Sequence, residues 1–391
     1  MVLQYSAVGI QNDVRACHKR ADSKRNLVHI ADSVRRAVSR AELDLPVRLV
    51  ALSEGAISGW AHPGGEAHIR AYKELAAEIP GEETEFLGAL CKEMDIYLIG
   101  QMMARDDELM KERIFNVAFI IDSKGQVIHK HRKTAGFTRS TMTFPSDIWN
   151  VYLEKYGNDP VKLSEALFPV ARTEIGNIGT IICSEGTFPE AARGLAFNGA
   201  EIIWRAQYAE PWIGNNMFEI ENRSHAIFNT CYVLAPSVGD VYGSQIDRKD
   251  SQPKSLPLEH RVSYGKSQII DYRGNIISQT LGSGESWVSA VIDVDGLRDF
   301  RVRSLWRNLA KDMRIEEYKV IYDAMMAKGG IFPRNLCLEE PPLTVPDQVE
   351  RCKYQINRAV ELGIYTPPPG WKPHVIKKGV LERIAKAKKK G

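Results

Sequence analysis

The sequence lacks the motifs that mark several common enzyme classes and any segment suited to a membrane. It has no G-x-x-x-x-G-K-[ST], no G-x-G-x-x-G after a predicted strand, no H-E-x-x-H and no G-x-S-x-G. Phosphate-binding loops, dinucleotide folds, common zinc proteases and serine hydrolases are therefore disfavoured. No apolar run is long enough to cross a bilayer, so we expect no membrane partner. The first residues lack a charged segment followed by an apolar one, which predicts no signal peptide.

Cysteine pairs with the spacing of a disulfide framework or a zinc site are also absent. The six cysteines are scattered: Cys17, Cys91, Cys183, Cys231, Cys337 and Cys352. In a chain of 391 residues this usage predicts reduced thiols and a cytoplasmic protein. His129 and His131 lie two residues apart, but no third ligand is spaced to join them. A structural or solvent-facing role is therefore favoured over a metal site.

A large net charge is absent as well. Lys and Arg number 52 against 49 Asp and Glu, a net charge of +3, whereas a nucleic-acid-binding protein is usually more basic. The basic excess is local, since residues 371–391 hold eight basic side chains and one acidic side chain. This tail lacks interleaved aromatic residues for base stacking. It predicts a solvated, partly frayed terminus, and a nucleic-acid partner is not expected.

Short apolar strands alternate with amphipathic helices over most of the chain. Residues 25–38 carry apolar side chains at helical spacing, and residues 122–125 and 175–177 mark two hairpins. The pattern predicts a layered α/β domain over residues 1–300, with a poorly periodic insertion at about 134–167. Residues 301–391 predict a C-terminal extension with a Pro-rich segment, which packs on the core or on a neighbouring subunit.

Three residues whose side chains are suited to catalysis each follow a predicted strand. Cys183 stands at a strand-to-helix turn, where backbone N–H groups favour a thiolate and an oxyanion, although a buried strand cysteine is the commoner case. Glu54 is either a structural cap or an acid/base group. Lys133 belongs to a basic cluster that is usually a solvated strand edge, whereas a Lys directed inwards stabilises a thiolate.

In combination, the order strand–Glu54, strand–Arg132–Lys133, strand–Cys183 resembles the nitrilase superfamily of carbon–nitrogen hydrolases. The resemblance runs from about residue 6 to residue 295. The stretches C-S-E-G-T-F-P-E-A-A-R and N-G-A-E-I-I-W-R-A-Q are most similar to the aliphatic amidase and formamidase branch. The resemblance implies a four-layer αββα sandwich, a small-molecule substrate, no cofactor and a homo-oligomer.

The resemblance also implies roles for these residues. Cys183 attacks an amide carbonyl, Glu54 transfers protons, and Lys133 with the backbone N–H of Ser184 stabilises the oxyanion. The product of the first half-reaction is a thioester on Cys183. A second, supporting Glu is expected between Lys133 and Cys183, and Glu154 is chosen over Glu165.

Other residues just after the predicted strands are candidates to line a substrate pocket. Glu185 is expected to accept a substrate N–H, as the branch resemblance implies. The remaining candidates have ordinary loop packing as the alternative: Trp60, Ser184, Arg205, Gln207 and Tyr208. The chain departs from the family where Ser53 precedes the first Glu, and where Ser184 stands in place of an acidic residue.

The main functional hypothesis is hydrolysis of a small carboxamide to a carboxylic acid and ammonia. A nitrilase or an N-carbamoyl amine hydrolase with the same three residues is the first alternative. A non-catalytic assembly or nucleic-acid-binding protein that uses the basic tail is the second. Glu54, Lys133 and Cys183 together argue against the second alternative, because a binding role does not require those three residue types.

Overall fold

A computed structural model shows strands and helices alternating along most of the chain. It describes residues 3–59, 73–136, 142–208, 215–243, 260–261, 265–306 and 308–390. The strands are, in chain order, β1 (Gln4–Gln11), β2 (Val14–Arg15), β3 (Val47–Ala51), β4 (Tyr97–Arg105), β5 (Ile114–Ile121), β6 (Val127–Arg132), β7 (Val170–Thr173), β8 (Gly176–Ile182), β9 (Ile202–Ala206), β10 (Tyr232–Ala235), β11 (Val241–Tyr242), β12 (His260–Arg261), β13 (Gln268–Ile270), β14 (Ile276–Gln279) and β15 (Ser286–Asp293). The α-helices are α1 (Ser23–Ala41), α2 (Glu82–Met94), α3 (Trp149–Tyr156), α4 (Pro160–Leu167), α5 (Pro189–Phe197), α6 (Met217–Asn229), α7 (Val294–Arg303), α8 (Leu309–Asp312), α9 (Ile315–Ala327), α10 (Val345–Glu361) and α11 (Lys378–Lys388).

Two mixed sheets form the centre of the molecule. The first has the strand order β15-β1-β3-β4-β5-β6, and the second has the order β14-β13-β10-β9-β8-β7. In each sheet the central pairs are parallel and the outer pairs are antiparallel, as β3–β4 and β5–β6 illustrate. Parallel neighbours such as β8 and β9 end at the same edge of their sheet. Residues that follow these strands are therefore placed close to one another.

The apolar core lies in three layers, one between the sheets and one under the helices on each outer face. Leu49 and Ile178 belong to the layer between the sheets, whereas Ile203 contacts the helices that cover the second sheet. Trp204 crosses the central layer and donates from its indole N–H to the carbonyl of Leu52 at 3.0 Å. The predicted four-layer αββα sandwich is confirmed.

The helical periodicity predicted over residues 25–38 corresponds to α1. Its apolar positions, among them Leu27, Ile30 and Val34, are buried against the first sheet. Full burial of one such side chain contributes roughly 1.5–3 kcal/mol. Opposite-charge pairs such as Asp32–Arg36 lie on the exposed side of the same helix.

The two predicted hairpins are present, with one shift. The amide of Asp122 donates to the carbonyl of Gln126, and Gly125 takes the left-handed conformation with φ +83° that the turn requires. The second hairpin turns earlier than predicted, because Gly176 already pairs with Thr173 as the first residue of β8. Its strand then ends at Ile182, so that Cys183 begins a 3-10 turn.

The insertion at 134–167 is more regular than predicted. Its described part contains a 3-10 turn at Pro145–Ile148 followed by α3 and α4. Ile148 and Tyr152 are fully buried in the layer between the first sheet and its helices. Two buried positions four residues apart were too few to reveal this packing in a short, otherwise polar segment.

The prediction of a frayed, solvated C-terminus is wrong. Helix α11 buries Val380, Ile384 and Ala387 in the same helix layer, and its lysine side chains stay exposed. Arg383 donates to the carbonyl of Leu336 at 2.8 Å, which ties the helix to the rest of the extension. Burial of the apolar edge outweighs the loss of chain freedom at this terminus. The domain boundary near residue 300 stays a prediction, and α7 crosses it.

Candidate active site

Glu54 follows β3 by two residues and is held by a closed set of buried amide groups. Its Oε1 accepts from Asn116 Nδ2 at 3.1 Å and from Lys133 Nζ at 3.3 Å. Gln101 donates to Asn116 Oδ1 at 2.6 Å and accepts from the amide of Gly55 at 2.8 Å. The side chain of Glu54 is only 2% exposed. The loop after β3 and the middle of β4 and β5 therefore orient this carboxylate together.

Lys133 follows β6 directly, and its backbone N–H donates to the carbonyl of Asn116 on β5 at 2.9 Å. Burial disfavours the ammonium, but the negative charge of Glu54, a Cys183 thiolate and Glu185 outweigh it, so the pKa of Lys133 is raised above its ordinary value. The structure thus places a protonated Lys133 among three acidic groups. The alternative of a solvated strand edge does not hold for this side chain, which is 6% exposed.

Cys183 begins the 3-10 turn Cys183–Thr187 directly after β8. Its φ of +52° is unusual for a residue with a side chain, and such a conformation costs on the order of 1–3 kcal/mol. The residue is half-buried and lies against the apolar layer between the sheets. The turn ends at Thr187, two residues before α5 begins at Pro189.

Glu185 lies in the same turn with its carboxylate fully engaged by the protein. Oε1 accepts from the amide of Thr134 at 2.6 Å and from its hydroxyl at 2.7 Å, while Oε2 accepts from the amide of Ile182 at 2.7 Å. His131 Nε2 lies 3.2 and 3.1 Å from the two oxygens. Burial raises the pKa of Glu185. His131 and Thr134 lower that pKa by more than burial raises it, so the net shift is downward. This geometry favours a positioning role over the predicted contact with a substrate N–H.

The supporting role of Glu154 stays a prediction, and the structure does not place this side chain beside Lys133. Glu154 is exposed on α3, a helix whose buried side packs in the outer helix layer and not between the sheets. Glu165, the alternative, is exposed on α4. Besides Glu54, Glu185 is a buried carboxylate whose negative charge acts on Lys133.

Arg205 was predicted to line the pocket, and this is corrected. Its side chain is fully buried on the helix-facing side of β9, with Nη2 2.7 Å from Glu221 Oε2 and the guanidinium 4.6 Å from the ring centre of Phe218. A Cβ at Gly186 would lie 2.2 Å from Arg205 Nε, so the turn after Cys183 rests directly on this guanidinium. Arg205 therefore packs beneath the turn Cys183–Thr187.

The other pocket candidates stay predictions. Gln207 is fully buried and donates to Ser237 Oγ at 3.1 Å, and Tyr208 is 7% exposed within an apolar cluster at the strand ends. Ser184 is half-buried in the nucleophile turn. Trp60 lies outside the described residues.

Sequence reasoning missed Asn116, Gln101 and Thr134, and it named His131 only as a structural or solvent-facing residue. One signal was present: His129, His131 and Lys133 alternate along β6, which places all three side chains on the buried face of that strand. The two amides carried no recognisable motif. In the described part of the chain, no group of three or more His, Cys, Asp or Glu side chains is placed to hold a metal ion. No helix there is both long and apolar enough to cross a membrane.

A family model described as "Carbon-nitrogen hydrolase" matches residues 6–302, which is more than half of the chain. Formamidases of Bacillus cereus (strain Q1) and Bacillus anthracis are both 28% identical over 177 residues, which cover 44% of this chain and 46% of theirs. The chain thus matches less than half the length of these curated relatives.

Solved structures show the same fold. A carbon–nitrogen hydrolase from Helicobacter pylori G27 superposes with a TM-score of 0.60 at 20% identity, over 81% of this chain and 98% of that protein. Saccharomyces cerevisiae Nit3, a member of branch 10 of the nitrilase superfamily, gives 0.55 at 22% identity, over 78% and 95%. With the family model and the formamidase matches, they confirm the resemblance predicted from the sequence.

Proposed function

This chain belongs to the carbon–nitrogen hydrolase family, and we propose that it hydrolyses a small carboxamide to a carboxylic acid and ammonia through Cys183. The observation that carries the proposal is the buried pair of Lys133 Nζ and Glu54 Oε1, 3.3 Å apart, close enough to Cys183 for a thiolate there to raise the pKa of the lysine. In this proposal Cys183 is the nucleophile, Glu54 the proton carrier and Lys133 the fixed positive charge, and they follow β8, β3 and β6. Amide hydrolysis by covalent catalysis needs those three components.

In the first half-reaction the thiol sulfur of Cys183 bonds to the carbonyl carbon, and its proton passes to Glu54. Asn116 and Lys133 both donate to Oε1 of Glu54, and Oε2 accepts no hydrogen bond from the described residues, so an oxygen is left for the proton. The carbonyl π electrons move to oxygen, where the Lys133 ammonium and the Ser184 N–H stabilise them. One such donor lowers the barrier by about 3–4 kcal/mol.

The first half-reaction ends when Glu54 returns its proton to the amide nitrogen as the C–N bond breaks, which releases ammonia and leaves a thioester on Cys183. In the second half-reaction Glu54 takes a proton from water, whose oxygen attacks the thioester carbon. The C–S bond breaks, the acid leaves, and the proton returns to the sulfur. Glu54 therefore accepts and returns a proton in each half-reaction, and no cofactor enters the cycle.

Contacts with the substrate outside this set are proposed for Ser184, Gln207 and Tyr208, which lie in the turn after β8 and after β9. The chain is further proposed to be a cytoplasmic homo-oligomer. Its support is a set of free cysteines without disulfides in the described residues, and an exposed apolar helix, α9. Light scattering tests the assembly, and the mass of a single chain at working concentration contradicts it.

The test of the reaction is ammonia release from a panel of small amides, nitriles and N-carbamoyl amino acids. We expect ammonia from the amides, loss of at least about 10³-fold in Cys183→Ala, and no change in Cys352→Ala. Cys352 is the matched control because it is the other half-buried free cysteine. Ammonia from nitriles alone, or full activity of Cys183→Ala, contradicts the proposal.

A further inference from the structure

A line of buried polar contacts crosses from the first sheet to the second beside the nucleophile turn. We name it the polar seam: His129 and His131 of the first sheet contact Thr180 and Glu185 of the second, and the pair of Lys133 and Glu54, both from the first sheet, lies beside them. Only the pair of Lys133 and Glu54 enters the proposed reaction. His129 Nε2 lies 3.1 Å from Thr180 Oγ1, within the sheets, whereas His131 contacts the turn itself.

The proton on His131 can be assigned from its partners. Nε2 faces two carboxylate oxygens of Glu185, which only accept, so Nε2 carries a proton. Nδ1 is buried and has no hydrogen-bond partner among the described residues. His131 therefore donates to Glu185 through Nε2–H. Its side chain and that of Glu185 are 3% and 2% exposed.

Glu185 connects two segments of backbone that carry reacting groups. Its Oε2 accepts from the amide of Ile182, the residue before Cys183, and its Oε1 accepts from the amide of Thr134, the residue after Lys133. One carboxylate thus spans the ends of β8 and β6, which belong to different sheets. It also closes the turn in which Cys183 holds its left-handed φ of +52°.

We propose that His131 is a positioning residue, which orients the Glu185 carboxylate so that it clamps Cys183 and Lys133 at a fixed separation. The inference rests on the proposed function for its catalytic meaning. Without the His131 donor, the carboxylate loses its lateral support and rotates away from one of its two backbone partners. The ammonium of Lys133 then lies farther from the sulfur, and a displacement of about 1 Å costs roughly 10²-fold in rate.

The experiment compares His131→Leu, which removes the donor, with His131→Gln, which keeps a side-chain N–H. His129→Leu is the matched control, because His129 lies on the same face of β6, is equally buried, and contacts Thr180 and not the turn. For His131→Leu we expect kcat to fall about 10²-fold with KM within about twofold, since ground-state binding is not disturbed. His131→Gln should recover most of the loss, and His129→Leu should retain kcat.

Alkylation of Cys183 by iodoacetamide, followed by mass spectrometry across pH, measures the same geometry without turnover. A more distant Lys133 stabilises the thiolate less, so His131→Leu should move the midpoint of the profile upward by about half a pH unit or more. If His131→Leu fails to fold, Thr134→Val removes another donor from the same carboxylate at a half-buried site. It should then shift the midpoint in the same direction.

Unchanged kcat and midpoint in His131→Leu overturn the proposal, and so does an equal change in His129→Leu. If the unmodified protein releases no ammonia from any amide, the proposed function fails instead. The alkylation profile still decides the role of His131 in that case, because it depends only on the separation of Cys183 and Lys133.

Discussion

The polar seam and the C-terminal extension hold the molecule together in opposite ways. In the seam, Glu54, Lys133 and Glu185 are charged and buried, and each is stabilised by specific partners at fixed distances. In the extension, Ile384 and Leu336 fill an apolar layer without a polar contact of their side chains. Buried charge contributes little net stability, whereas apolar burial contributes roughly in proportion to area. Conservative changes in the seam should therefore affect chemistry most, and changes in the extension should affect stability.

Two helices inside the extension sharpen this contrast. Helix α9 is rich in apolar residues, yet it has no buried residue, and Ile321 and Tyr322 are 61% and 52% exposed. Helix α11 is strongly basic, yet it buries one apolar edge. The difference shows that the arrangement of apolar residues on one edge, and the surface available to receive it, decide burial more than apolar content does.

The largest expected effect is on the rate when the proton carrier is changed. Glu54→Gln keeps the shape and the contact with Asn116 but cannot accept a proton, so kcat should fall about 10³-fold or more. Steady-state ammonia release measures it, and circular dichroism checks the fold. Glu154→Gln is the control, since Glu154 is exposed on α3 and should leave kcat unchanged. Equal losses in both variants would restore the supporting role first predicted for Glu154.

The next effect is on stability in the extension. Ile384→Ala removes a fully buried side chain of α11 and should lower the free energy of unfolding by about 2–5 kcal/mol, with kcat of the folded enzyme unchanged. Leu381→Ala on the same helix, where the side chain is 41% exposed, should change it by no more than about 0.5 kcal/mol. Urea unfolding measures both. Similar small losses would mean that the basic tail is not anchored.

A smaller effect concerns the pH dependence of stability. The pKa of Glu185 is lowered on folding below 4.5, so its contribution is complete above pH 4.5 and is lost as pH falls through the folded value. The pKa of Lys133 is raised above 10.5, so its contribution is complete below pH 10.5 and is lost as pH rises. In Glu185→Gln the free energy of unfolding should depend less on pH in the acid range. Its dependence on pH in the alkaline range should be unchanged. An unchanged dependence in the acid range contradicts the assignment.

The smallest effect is expected on α9. Ile321→Ser places a polar side chain where the present one is 61% exposed, so the free energy of unfolding of the dilute protein should change by no more than about 0.5 kcal/mol. Thermal unfolding at low protein concentration measures it. A loss comparable with Ile384→Ala would show that α9 is covered in solution, and the contrast between the two helices would then fail.

Local sequence patterns were sufficient for the strands and for the positions of three polar residues at their ends. The period-two and helical repeats are properties of neighbouring residues, and Gly125 marks its hairpin through backbone conformation alone. Glu54, Lys133 and Cys183 were therefore placed correctly after strands β3, β6 and β8. Their catalytic roles stay predictions that the rate measurements test.

Other assignments failed because they depended on contacts between distant parts of the chain. His131 and Glu185 are separated by 54 positions, and neither carries a local sign of the other. Arg205 lies on β9 like a pocket residue, but alternation along the strand turns it towards α6 and beneath Gly186. Glu154 is a Glu between Lys133 and Cys183, as expected of the supporting residue. Only its exposed position on α3 argues against that role.

The sequence by itself determined the layered αββα fold and the order of the three reactive residues, because periodicity and order along the chain are local properties. The tertiary structure decided which carboxylates are buried near Lys133, where the basic tail lies and which side chains reach the turn after β8. Those outcomes depend on which faces of separate elements meet across the sheets. A buried charge or the apolar edge of a helix contributes to stability only once the tertiary structure places its partner against it.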